Sequence, residues 1–211
     1  MTDDLPRRPA RDAVEILGRE TAYDGFFKLE RWHLRHERFD GGWTGEMTRE
    51  LFERGHAAAV LPYDPERDEV VLIEQFRIGA HAAGLDPWMV EVVAGIIEDG
   101  ERPEQVVRRE ALEECGLHLS ELVPLHTFLL SPGGSSETLH LYAGRVDTTE
   151  AGGHFGVAEE HEDIRAFTLP AEEAIGLMQQ GRIHNAPALV ALQWLQTNRP
   201  DLQRRWRLLG E

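Results

Sequence analysis

The stretch "GIIEDGERPEQVVRREALEECGL", Gly95 to Leu117, decides how the chain is read. Pro103 suits the first turn of a helix, where its fixed φ fits and its missing N–H would have no intrahelical partner. Gly116 suits the stop, so the spacing predicts a helix from Pro103 to about Cys115. On that helix Glu110 lies three positions from Glu113 and four from Glu114, which crowds three carboxylates on one side. Like charges at that spacing cost a surface helix roughly 0.2–0.5 kcal/mol per pair. Arg109 partly offsets the repulsion through Glu113, four positions on. Two readings stay open at this level. One is a solvated charged face. The other is a set of hard oxygen ligands for Mg²⁺ or Mn²⁺, since Mg²⁺ takes one or two carboxylates and leaves the rest to water and phosphate. Cys115 shares the helical phase of Val107 and Ala111 and is expected to pack in a core.

Outward from this helix the chain breaks into short strands. Upstream, "HAAAVLPYDPERDEVVLIEQFR" reads as a hairpin in which two apolar runs, Ala57 to Leu61 and Val70 to Ile73, flank the turn formers Asp64, Pro65 and Asp68. "WMVEVVAG", Trp88 to Gly95, reads as one further strand. Residues from about 13 to 53 are punctuated by glycines, with strand-like pieces at Phe26 to Leu34 and Gly45 to Glu53, and read as a small antiparallel sheet. Downstream, strands are expected at about Val123 to Leu130 and Thr138 to Val146, joined by the turn-rich "SPGGSSE", and at Ile164 to Leu169. Two helices close the pattern, Ala171 to Gln180 and about Pro187 to Thr197, before an Arg-rich tail. Strands and helices do not alternate regularly, so the expected class is α+β, a mixed sheet flanked by helices. Residues 1–53 form the expected N-terminal sheet and residues 54–211 the main domain.

Composition narrows the partners. With 38 acidic and 22 basic residues the formal charge is -16, which argues against nucleic acid, because phosphate binding needs clustered positive charge. No apolar run approaches the roughly 20 residues that span a bilayer, and the start, MTDDLPRRPA, lacks the apolar core of a signal peptide. The expectation is a cytoplasmic protein with no membrane partner. The single cysteine permits no internal disulfide, which fits a reducing compartment. His140 and His184 carry no metal-site spacing, and Trp32, Trp43, Trp88, Trp194 and Trp206 read as packing or interface residues.

From Gly95 the order is five residues, Glu101, seven residues, Arg109-Glu110, then Glu113-Glu114, Gly116 and Leu117. This resembles the Nudix box, the loop-helix-loop signature of the Nudix hydrolases, with every fixed position present. The resemblance implies an α/β/α sandwich around a mixed sheet, a Mg²⁺ requirement with Mn²⁺ as substitute, and hydrolysis of a nucleoside diphosphate linked to another group. It extends from about Phe26 to Leu195. The stretches "ELFERGHAAAVLPYDPERDEVVLIEQFR", "ETLHLY", "EEHEDIR" and "NAPALVALQWLQ", with Pro132 beyond the box, are most similar to the family's bacterial ADP-ribose pyrophosphatase branch.

By that resemblance the metal ligands are Glu110, Glu114, Glu162 and the backbone carbonyl of Ala94, with Glu113 nearby and Arg109 orienting a glutamate. Glu160 matches the general base that deprotonates the attacking water, with Glu159 and Glu162 as alternatives; His161, between the glutamates, departs from the branch's pattern. Attack at the adenosyl phosphorus would release AMP and ribose 5-phosphate. Arg49 and Arg77 match arginines that contact substrate, Glu137 a glutamate near the terminal ribose, and Phe26 or Phe27 an aromatic that stacks on adenine. The resemblance also implies a homodimer in which the N-terminal sheet, Phe26 to Arg49, reaches the partner's site. ADP-ribose is the expected substrate, GDP-mannose the alternative. A non-catalytic nucleotide-binding module is disfavoured because Glu110, Glu113 and Glu114 are all present.

Overall fold

Asp64 starts the hairpin around which the main sheet is built. In the computed structural model, which describes residues 9–157 and 161–207, its Oδ1 accepts the N–H groups of Glu66 (2.8 Å) and Arg67 (3.1 Å), closing the turn between β4 (Ala57–Asp64) and β5 (Glu69–Phe76). Its Oδ2 accepts the N–H and the hydroxyl of Thr148 at 2.9 and 3.0 Å. The two strands then separate. They share only the pairs Tyr63↔Val70 and Asp64↔Glu69. Further along, β6 (Trp88–Glu91) pairs with β5, and β7 (Val93–Ile96) pairs with β4. This corrects the single strand expected from Trp88 to Gly95: two diverging neighbours cannot be followed by one straight strand, so it breaks at buried Val92.

The sheet is completed by β8 (Leu122–Leu129), β9 (Thr138–Arg145), β10 (Gly153–Phe155) and β11 (Ile164–Pro170), in the order β10-β11-β5-β4-β9-β8. The β4–β9 pair is parallel and the rest of the described ladders are antiparallel, so the sheet is mixed. All eight residues of β4 are buried, as expected of a central strand covered on both faces. Alternation assigns its side chains to two cores. Ala57, Ala59, Leu61 and Tyr63 face the layer of α3 (Ala171–Gln179) and α4 (Ala186–Arg207), through Ile175, Leu192, Leu195 and Trp206. Ala58 and Val60 face α2 (Pro103–Cys115), through Val106, Val107, Ala111 and Cys115. Each fully buried aliphatic side chain contributes roughly 1.5–3 kcal/mol relative to exposure. The result is the expected sandwich of helices on both faces of a mixed sheet.

The described residues form two compact units. The first holds the described residues up to Gly55 together with Leu129–Glu137, and the second holds His56–Phe128 and the described residues from Thr138 onward. In the first, β1 (Val14–Asp24), β2 (Lys28–His36) and β3 (Met47–Glu53) make an antiparallel sheet. The segment after β8 joins it where the Phe52 N–H donates to the Gly134 carbonyl (2.8 Å). Strand β1 was not among the pieces expected from the sequence. Ten of its eleven positions are exposed, so no apolar alternation marks it. Cross-strand ion pairs stand in, Arg35 to Glu15 at 2.6 Å and Arg31 to Glu20 at 2.7 Å.

Helix α2 has the expected ends. The Gln105 side chain accepts the Arg102 N–H (3.0 Å) at the start. Gly116 closes the end at φ 67°, a left-handed conformation. Helix α1 (Ile78–Ala82) is a short addition. Helix α4 departs from expectation by continuing through Pro200 to Arg207. Proline removes one ladder hydrogen bond, but Leu202 and Trp206 beyond it are buried, and the Trp206 ring lies 6.2 Å from that of Tyr63. Burial of that large side chain outweighs the missing bond. Trp206→Ala should therefore lower unfolding stability by about 3–5 kcal/mol, read from urea denaturation followed by circular dichroism; a loss below about 1 kcal/mol would mean that the last turns of α4 are not part of the core.

Candidate active site

The carboxylates of α2 are placed by the strand beneath them. Ala94 and Gly95 of β7 pair with Ala59 and Ala58 of β4, which fixes that backbone in the core. The Ala94 N–H donates to Glu114 Oε2 at 3.2 Å. At Gly95 the approach is closer still: a Cβ there would fall 1.8 Å from Glu110 Oε1 and 2.6 Å from its Cγ, so only glycine leaves that carboxylate its place. Glu114 is 5% exposed and Glu110 partly buried, while Glu113 is open to solvent.

Arg109 gathers the box. Its Nη1 donates to Glu110 Oε1 (2.7 Å) and Glu113 Oε2 (3.1 Å), and its Nε lies 3.3 Å from Glu101 Oε1. Glu101 in turn accepts the Glu98 N–H at 3.1 Å, so one arginine ties the loop before α2 to the helix. Burial pushes the Glu110 carboxyl up to about 7, with Glu113 and Glu162 adding to it and Arg109 opposing. Glu114 is pushed up to about 8, first by burial, then by Glu110 and Glu162, against the Ala94 N–H and Arg77.

Two carboxylates drawn out of water, with Glu110 raising Glu114 further, want a cation. Their oxygens are the hard donors that Mg²⁺-like ions prefer, and the glycine below leaves room for one of them. Among the described residues no group of three or more His, Cys, Asp or Glu side chains is assembled to hold a metal. Glu110 and Glu114 are the residues that could hold it.

The remaining expected site residues fall in different places. Glu162 lies just after the left-handed His161 (φ 56°) and accepts the Val157 N–H at 3.3 Å; its charge acts on Glu110, Glu114 and Arg77. Glu159 and Glu160 lie outside the described residues. Arg77 follows β5, and its Nε and Nη2 donate to Glu91 Oε2 at 3.0 and 2.7 Å. Phe26, Arg49 and Glu137 belong to the first unit. Phe26 is 89% exposed at the β1–β2 turn, against Phe27 at 4.6 Å. Arg49 on β3 donates to the Thr48 carbonyl, and buried Glu137 lies 3.4 Å from Arg54, which itself sits over Phe27. Sequence reasoning missed Glu91, a 5%-exposed carboxylate, and Asn185, whose Nδ2 donates to it at 2.9 Å. The available signal was one acid inside the apolar run "WMVEVVAG".

The raised carboxyls set a pH dependence. A carboxyl whose folded pKa exceeds its unfolded value costs the fold nothing below the unfolded value and destabilises it as pH rises through the folded value. Without divalent metal, the stability difference between wild type and Glu110→Gln/Glu114→Gln should therefore shift toward the variant from about pH 5 to pH 8, given pKa values near 7 and 8. Thermal melts of both proteins in EDTA across that range check it; parallel curves would refute the coupled burial.

The comparisons agree with this geometry. A family model described as the NUDIX domain matches residues 53–192. The ADP-ribose pyrophosphatase of Escherichia coli (strain K12) is 49% identical over 97% of this chain and 98% of its own. The GDP-mannose pyrophosphatase of Enterobacter sp. (strain 638) is 37% identical over 87% and 95%. A solved structure described as an ADP compounds hydrolase superposes with a TM-score of 0.68 at 19% identity, over 90% of this chain and 98% of that one, and shares the fold. With a domain match over more than half its length and near full-length relatives, the chain belongs to the NUDIX domain family, that of the Nudix hydrolases.

Proposed function

We propose that this chain is an ADP-ribose diphosphatase, hydrolysing ADP-ribose to AMP and ribose 5-phosphate. The observation that carries the reading is the pair of carboxylates on α2, Glu114 buried on the Ala94 N–H and Glu110 partly buried over Gly95 and tied by Arg109. The higher identity to an ADP-ribose pyrophosphatase than to a GDP-mannose pyrophosphatase favours the substrate.

Nudix hydrolases generally use a divalent metal, here proposed as Mg²⁺ with Mn²⁺ as substitute; when bound it supplies positive charge against the diphosphate and lowers the pKa of water. Glu110, Glu114, Glu162 and the carbonyl of Ala94 are its proposed ligands. Arg109 holds Glu110 in place and, with Glu113, keeps the solvent side of α2 organised. Glu160 takes the proton from the attacking water, a role within reach of a carboxylate once the water is acidic enough. Arg77 presents its guanidinium to the substrate phosphates. Phe26 stacks on adenine and Arg49 contacts substrate, both on the N-terminal sheet, residues 1–53, through which the protein dimerises and serves the partner's site. Glu137 binds near the terminal ribose. The compartment is the cytoplasm, without a nucleic acid or membrane partner; no helix among the described residues is long and apolar enough to cross a membrane.

Incubation with ADP-ribose and Mg²⁺ in ¹⁸O-labelled water tests the reaction. Label in AMP is expected. Label in ribose 5-phosphate would move the attack to the other phosphorus, and release of GMP from GDP-mannose in preference would change the substrate. Gly95→Ala tests the site itself. Its Cβ must displace the end of a flexible side chain, so melting should stay near wild type, whereas moving Glu110 by an ångström should cost about 100-fold in turnover. An active Gly95→Ala enzyme would remove Glu110 from the machinery.

A further inference from the structure

Buried acids are expensive unless they are paired, and a buried ion pair is often no more stable than apolar residues filling the same space. Glu91 is therefore poorly explained by stability. It closes β6 opposite Ile73 of β5, with its side chain 6% exposed, yet its partner Arg77 keeps 46% of its side chain exposed. The pair has a buried anchor and an open head.

Each oxygen of the anchor is held. Oε2 receives Arg77 Nε and Nη2, with the Gln75 amide at 3.4 Å. Oε1 receives the Asn185 amide at 2.9 Å. Asn185 cannot turn its amide freely, because its Oδ1 accepts the Ala188 N–H (3.3 Å) and so caps α4. With the oxygen committed to the helix end, the NH₂ points at Glu91. Helix α4 is in turn fixed by buried Ala188, Ala191, Leu192 and Leu195. At the other end the Arg77 N–H donates to the Pro87 carbonyl (2.8 Å), so backbone and guanidinium are both pinned. Holding Nε and Nη2 on one oxygen sets the plane of the guanidinium and hence the direction of its Nη1 donors. Arg77 also lies near enough to Glu114 and Glu162 for their charges to act on it.

We infer that Glu91, steered by the Asn185 cap of α4, is a positioning residue that aims Arg77 at the substrate diphosphate. The inference rests on the proposed role of Arg77 in substrate binding. It makes the end of α4 part of the binding apparatus, although neither Asn185 nor Glu91 touches substrate.

The test is a double-mutant cycle on full-length protein, with ADP-ribose and Mg²⁺. Glu91→Gln keeps the shape and removes the charge. It should raise KM about tenfold or more, with kcat changing much less, by the scale of a hydrogen bond to a charged group. Added to Arg77→Ala it should cost nothing further, because both variants lose the same aimed guanidinium. Additive losses, or an unchanged KM for Glu91→Gln, would overturn the inference. Asn185→Asp keeps the helix cap but turns a carboxylate on Glu91. It should raise KM in protein that still folds, whatever its melting temperature loses to the added like charge, and it decides the matter if Glu91→Gln fails to fold: an unchanged KM then overturns the inference. A wild-type enzyme that does not turn over ADP-ribose would instead fail the proposed function, a separate result.

Discussion

The arrangement depends on removing the carboxylates of Glu110 and Glu114 from water on one face of α2. Desolvation is the largest influence on both, and the charge of Glu110 makes Glu114 harder still to ionise. Such a pair survives only where the surroundings hold it, and here that is the backbone of β7: an N–H at Ala94 for one carboxylate and the bare Cα of Gly95 for the other. The strand can lie there because β4 and β5 part after two residue pairs. Sheet topology thus decides where the acids sit, and the acids decide what charge can enter.

Two arginines moderate this acidity in different ways. Arg109 does it by contact, reaching Glu110 and Glu113 directly. Arg77 does it at longer range on Glu114, while its own charge is committed to Glu91. Burial alone would lower Arg77, but the bonds from Glu91 and the fields of Glu114 and Glu162 leave it raised and fully charged. A cationic donor is thereby kept beside the anionic pair without quenching it.

Much of this was legible because it is local. Pro103 and Gly116 bracket α2, and the spacing of Glu110, Glu113 and Glu114 gathers them on one face before any tertiary contact is known. What was missed is set by neighbours distant in sequence. Asn185 and Glu91 meet across 94 residues, and no periodicity announces an amide turned by a helix cap. The split of Trp88–Gly95 into β6 and β7 follows from two flanking strands that diverge. The reach of α4 past Pro200 follows from a place for Trp206 beside Tyr63, a gain that a local rule about proline cannot weigh.

That last contact bears on the order in which the fold can assemble. Strand β4 is made early, yet its Tyr63 face is covered by the far end of α4, and its parallel neighbour β9 also comes much later in the chain. While the chain is being synthesised, a strand buried along its whole length in the finished sheet waits with one face bare, the condition in which long-range topologies are slow and exposed to aggregation. The acidic surface implied by a charge of -16 then has a use before the protein is finished, since mutual repulsion keeps incomplete chains apart.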